Sequence, residues 1–181
     1  MPKLFTAIEL PEPARAALAS LQPPPTPGTR IVTPDQMHVT LHFFGEADVD
    51  RAAAPLVKVR VPPFELTLRG VGRFASAENT TTLWAGVEKG PGLLALHEAV
   101  GAAIVDAGFR KEQRPYNPHI TLARCEAGTP ARLPEEFCSK HATFALPAVP
   151  VSAFWLYSST LIDGIPRYQR VRAFELTPNE R

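Results

Sequence analysis

The chain has 181 residues, 45% hydrophobic and 20% charged, with a formal net charge of +1. Those proportions exclude a disordered chain, and the charge excludes a protein that coats duplex nucleic acid through a broad basic face. They leave room for a short phosphate ligand held by a few groups.

Lys3–Leu10 alternates as a strand, and Pro11-Glu12-Pro13 opens a helix over Ala14–Leu21, proline being tolerated in a first turn. The proline-rich run Gln22–Gly28 reads as a stiff surface connector. Arg30–Thr33 is a short strand, Pro34–Gln36 a turn, and Met37–Phe44 a strand stopped at Gly45. Asp48–Val59 reads as a helix interrupted or kinked at Pro55. Phe64–Phe74 is a strand with a bulge or bend at Gly70 and Gly72, and Thr80–Val87 is its antiparallel partner across a polar turn at Ser76–Asn79. Leu93, Leu96, Val100, Ala103 and Ile104 recur at helical spacing in Leu93–Ala107, with Gly108 as its cap. His119–Ala123 is a strand and Leu133–Lys140 a short helix. Thr143–Leu146, Val149–Ser158 and Arg167–Leu176 are strands, the last two paired around Asp163-Gly164.

Strands joined largely as hairpins, with helices set apart from them, predict an α+β fold with antiparallel sheets. The order strand, helix, loop, strand recurs in the two halves, consistent with two lobes related by a pseudo-twofold and a single domain over residues 1–181. Cys125 and Cys138 make neither a disulfide framework nor a metal set and are expected as reduced thiols. The N-terminus does not read as a signal peptide, and no apolar run reaches the ~18–20 residues that span a bilayer. The expected setting is a cytoplasmic monomer with no membrane contact.

One pattern occurs twice. His38-Val39-Thr40-Leu41 returns as His119-Ile120-Thr121-Leu122, 81 positions later. In a strand, His and Thr at i and i+2 share one face while the aliphatic residues enter a core. Two imidazoles facing each other form an acid–base pair: one takes a proton from water, the other gives one to a leaving oxygen. The Thr40 and Thr121 hydroxyls are placed to donate to phosphate oxygens. Arg124 follows His119 by five, an odd spacing that turns it away in a regular strand; it reaches the same face only at the strand end or through a bulge. Zinc would need three or four ligands, and no spacing supplies them, so neither metal nor cofactor is expected. The implied substrate is a cyclic phosphodiester.

Three segments carry a resemblance: Leu4–Pro11, His38–Gly45 and Arg114–Arg124. They are similar to the two-histidine (2H) phosphoesterase superfamily, and more narrowly to the RNA 2′,3′-cyclic phosphodiesterases, also called 2′-5′ RNA ligases. The resemblance implies a bilobal α+β fold: two antiparallel sheets flanked by helices, with the motif strands lining a central cleft. It implies metal-free hydrolysis of RNA 2′,3′-cyclic phosphate ends to 2′-phosphomonoesters, with reversible 2′-5′ ligation. It makes His38 the proton donor to the leaving 3′-oxygen, His119 the base on water, and Thr40, Thr121 and Arg124 phosphate contacts. The symmetry of the motifs alone does not assign acid and base. The chain departs from the family at Ile31, where relatives often carry Trp, and at Phe44, where Leu is usual.

Other residues have two readings. His42 shares the face of His38 and Thr40 by alternation, and reads as a solvated neighbour or a cleft-rim contact. Phe44, Tyr116, Trp155 and Tyr157 are candidate base-stacking contacts, against core positions for Phe44 and Trp155 with only a tyrosine lining the cleft. His97 and His141 read as ordinary polar positions. Arg30, Arg69, Arg73, Arg110, Lys111 and Arg114 form either a basic rim or a scattered solvated face. The rival functions are a catalytically idle RNA-end-binding module and a phosphodiesterase for another small cyclic nucleotide.

Overall fold

The computed structural model describes residues 1–76 and 78–178, so Ala77 in the expected Ser76–Asn79 turn lies outside the described residues. The strands are β1 (Lys3–Glu9), β2 (Thr29–Ile31), β3 (His38–Glu46), β4 (Phe64–Ala75), β5 (Thr81–Val87), β6 (His119–Cys125), β7 (Ala145–Val151), β8 (Ala153–Ile162) and β9 (Ile165–Glu175). The helices are α1 (Glu12–Ala19), α2 (Val49–Leu56), α3 (Pro91–Asp106) and α4 (Leu133–Lys140). Two antiparallel sheets form, ordered β3-β1-β8-β9 and β2-β6-β5-β4-β7. The fold is the expected α+β arrangement.

Local chemistry explains most boundaries. α1 and α3 start with proline in the first turn, where its missing N–H costs nothing. Asp48 caps α2 by accepting from the Arg51 amide at 2.9 Å, and Pro55 falls in its last turn, so the helix ends there rather than kinking. Gly70 has φ +71° at a register shift in β4, the expected bulge. Asp163 and Gly164, both left-handed, close the β8–β9 hairpin.

Two expectations change. β3 runs through Gly45 to Glu46, because Gly45 takes φ +76° without ending the pairing with β1. The stretch expected as one strand, Val149–Ser158, is broken at Ser152: β7 pairs with β4 in one sheet, β8 with β1 in the other. β7 carries Pro147 and Pro150 and lies at a sheet edge, where a missing N–H breaks no ladder. The lobes are therefore not the two halves of the sequence. One sheet combines both ends of the chain; the other takes the middle plus β2.

The main core draws on both sheets and on the inner faces of the helices, with Leu18, Val39, Leu66, Leu96 and Leu122 fully buried. A second, smaller apolar cluster of Phe5, Ala7 and Tyr157, backed by Trp155 and Tyr168, lies on the opposite face of the β3-β1-β8-β9 sheet.

Candidate active site

The motif strands meet at a cleft of about 570 Å³. His38 and Thr40 from β3 line it together with His119, Thr121 and Arg124 from β6. β3 is an edge strand of one sheet and β6 an inner strand of the other, so the two motifs arrive from separate sheets.

Both strands carry the same bulge. Across β1, Ala7 pairs with Thr40 and Thr6 with His42, leaving Leu41 as the extra residue. Across β5, Trp84 pairs with Thr121 and Leu83 with Ala123, leaving Leu122 extra. The bulge falls three residues after the histidine in each copy, and beyond it the alternation inverts. In β6 the inversion turns Arg124 onto the cleft side with His119 and Thr121. In β3 it turns His42 away.

His42 is therefore neither solvated nor on the rim. It is 3% exposed, and its Nε2–H donates to the His97 carbonyl at 2.7 Å. Its backbone N–H donates to the buried Thr6 hydroxyl at 3.1 Å. The position five residues after His38 is instead Phe43, 57% exposed and lining the cleft where the other motif presents Arg124. Phe44 also leaves the cleft: it packs edge-on against Phe109, ring centroids 4.9 Å apart. Tyr116 is behind β3, stacked on His97 with its hydroxyl donating to the Thr40 carbonyl at 2.8 Å.

The two histidines are held alike. Nδ1–H of His38 donates to the Gln36 carbonyl, and Nδ1–H of His119 to the Asn117 carbonyl, each at 2.8 Å. A carbonyl only accepts, so Nδ1 carries the proton and Nε2 is left for a ligand. Their surroundings differ. His38 sits among Phe5, Tyr157 and Tyr168, with ring centroids 5.2, 6.0 and 5.0 Å away. This burial, with smaller contributions from His119 and Arg124, pushes its imidazole down to about 4, against the opposing pull of the Gln36 carbonyl. His119 is flanked by the half-exposed Phe74, edge-on at 5.0 Å, and by Trp84.

The cleft is cationic: Lys3, Arg30, Arg124 and Arg167 line it, and among the described residues no carboxylate does. Arg124 and Arg30 are cross-strand neighbours, and their repulsion is offset by Glu126, which pairs with Arg30 at 2.5 Å. Nη1 of Arg124 is 3.5 Å from the Thr82 hydroxyl. Of the arginines and lysine expected as a basic rim, Arg30 alone lines the cleft; Arg69 and Arg114 pair with Glu88 and Glu112. Ile31 also lines it. Among the described residues, no three His, Cys, Asp or Glu side chains converge as a metal-ligand group. No helix among them is long and apolar enough to cross a membrane.

Several contributors were not foreseen. Tyr168 comes from β9, at the far end of the chain, and its backbone N–H and C=O both bond the Gln36 side-chain amide. Gln36 and Asn117 share one position, two residues before each histidine; that repeat was available as a signal. Nothing local marks Tyr168, because sheet order brings it there.

Comparison with known proteins agrees with this geometry. The family model described as the 2′-5′ RNA ligase superfamily matches residues 10–162. The Escherichia coli protein named RNA 2′,3′-cyclic phosphodiesterase is 31% identical over 182 residues, covering 97% of each chain. The Thermus thermophilus protein of the same name is 34% identical over 187 residues, covering 96% of this chain and 90% of its own. Among solved structures, one of a Thermus thermophilus protein superposes with a TM-score of 0.77 at 31% identity, covering 98% of this chain and all of that one. E. coli LigT complexed with 3′-AMP superposes with a TM-score of 0.73 at 28% identity, covering 97% and 98%.

Proposed function

The chain belongs to the 2′-5′ RNA ligase superfamily, and on that premise we propose that it is a hydrolase that opens RNA 2′,3′-cyclic phosphate ends to 2′-phosphomonoesters. The observation that carries this reading is the convergence of His38, His119, Thr40, Thr121 and Arg124 on one cleft whose lining charges, among the described residues, are cationic. The protein acts as a monomer in the cytoplasm, without a metal cofactor, on RNA ends or small cyclic nucleotides.

One imidazole Nε2 takes a proton from water as the oxygen bonds to phosphorus. The 3′-oxygen leaves and takes a proton from the other imidazole, and the phosphate stays on the 2′-oxygen. Arg124 and the two threonine hydroxyls hold the nonbridging oxygens and offset their charge. When a 5′-hydroxyl of RNA replaces water, the same steps make a 2′-5′ linkage.

The family resemblance makes His38 the acid and His119 the base. The burial of His38 favours the opposite division in the unliganded cleft, because a neutral imidazole is ready to accept a proton. A substrate with sulfur in place of the leaving 3′-oxygen separates the two. Sulfur departs without a proton, so it restores turnover to the alanine variant of the acid and not of the base. Rescue of His38→Ala supports the resemblance; rescue of His119→Ala supports the reverse.

The experiment for the function is product analysis on an RNA carrying a 2′,3′-cyclic end. A 2′-phosphate is expected. A 3′-phosphate excludes the chemistry, and binding without turnover between about pH 5 and 8, where imidazole titrates, supports an idle end-binding module.

A further inference from the structure

Behind β3, three rings form a stack that the reaction does not touch. The Tyr116 ring lies on His97 of α3, with centroids 3.7 Å apart and planes 13° from parallel. His97 lies in turn on His42 of β3 at 4.1 Å and 22°. The stack is tight: a Cβ at Gly101 of α3 would fall 3.0 Å from His42 Nε2. None of these rings lines the cleft.

Tyr116 lies in the segment leading into β6, next to Asn117, whose carbonyl holds His119. Its hydroxyl donates to the carbonyl of Thr40, a cleft residue two positions after His38. Pro115 and Pro118 bracket Tyr116 and Asn117; each fixes its own φ, and Pro118 also restricts Asn117. β3 and β6 belong to different sheets, and among the described residues no backbone ladder joins them. A side chain therefore spans the two motifs.

We propose that Tyr116 is a positioning residue for the phosphodiesterase reaction: its hydroxyl, steadied by stacking on His97, ties the lead-in of the second motif strand to the backbone of the first and holds the two imidazoles at their working separation. The proposal rests on the function stated above. A small displacement of catalytic groups is costly in rate, since an error of about 1 Å lowers turnover by about 10²-fold. Two of the three phosphate-holding groups, Thr121 and Arg124, share β6 and keep their relation to each other, whereas the two imidazoles stand on different strands, so the loss falls chiefly on kcat.

The test is steady-state hydrolysis of a nucleoside 2′,3′-cyclic monophosphate by Tyr116→Phe, which keeps the ring and removes only the hydroxyl. The expected result, at a temperature where the variant is fully folded, is a kcat lowered by about tenfold with KM within about twofold. Tyr116→Leu, which also loses the stack, lowers kcat further. A Tyr116→Phe enzyme with wild-type kcat overturns the proposal, as does a loss that disappears once activity is referred to the folded fraction. If the wild-type protein has no turnover, the functional reading fails, and hydrogen exchange judges the clamp. Faster exchange at Leu41, His42, Asn117 and His119 in Tyr116→Phe, with the rest unchanged, supports it; unchanged exchange at those amides overturns it.

Discussion

Lowering the pH from 7 to 4 should destabilise the fold through His38, and the size of the effect follows from its surroundings. The imidazole is pushed from 6.5 to about 4, chiefly because Phe5, Tyr157 and Tyr168 replace the water that would solvate its charge. A shift of that size corresponds to about 3 kcal/mol, and partial exposure at the cleft brings the expected figure to roughly 1–3 kcal/mol. The unfolded chain protonates this histidine near 6.5 and the folded chain near 4. Between those values the unfolded state binds more protons, so stability falls as pH falls through the window and changes no further below it. His97 is likewise pushed down to about 4, first by burial and then by His42 and Lys111. Total acid sensitivity therefore exceeds the share of His38. The share is read as the difference in the pH dependence of urea unfolding between wild type and His38→Gln, with the imidazole's own midpoint followed by NMR. Adding inorganic phosphate should move that midpoint upward, because an anion in the cleft favours the imidazolium. A His38 midpoint at or above 6.5 in the free protein would refute the reasoning.

Three further outcomes are expected. His38→Ala and His119→Ala should each lower turnover of a 2′,3′-cyclic phosphate by about 10²-fold or more, while EDTA leaves the wild-type rate intact; EDTA-sensitive activity contradicts the metal-free reading. Arg124→Ala should weaken binding of inorganic phosphate more than about threefold, and Arg124→Lys less, since lysine keeps the charge but loses the fork; equal binding by Arg124→Ala removes the arginine from the site. Gly72→Ala should cost roughly 1–3 kcal/mol in urea unfolding, because the added Cβ would fall on the Trp84 ring, and should alter Trp84 fluorescence as the indole shifts; an unperturbed variant contradicts that packing.

Much of the site was legible from residue types alone. Two His-x-Thr-Leu strands and the helix, hairpin and cap signals at Pro11–Pro13, Gly108 and Asp163-Gly164 all act over a few residues, where side-chain geometry and φ preferences decide the outcome. Alternation correctly placed His38 with Thr40 and His119 with Thr121.

Alternation failed one step later, and in both motifs at once. A period of two holds only until a bulge, and whether a residue becomes the bulge depends on how the neighbouring strand pairs. The pairing of β1 with β3 and of β5 with β6 makes Leu41 and Leu122 the extra residues. It carries Arg124 into the cleft, takes His42 out of it, and sets Phe43 where the partner motif has a cation. The same holds for Tyr168 and Tyr116. Sheet order brings Tyr168 from the far end of the chain onto His38, and lobe packing sets Tyr116 against Thr40. The chain's own order thus determined which side chains could do the chemistry. Only the pairing of strands distant in sequence decided which of them face the cleft, because that choice is made by partners that local sequence does not contain.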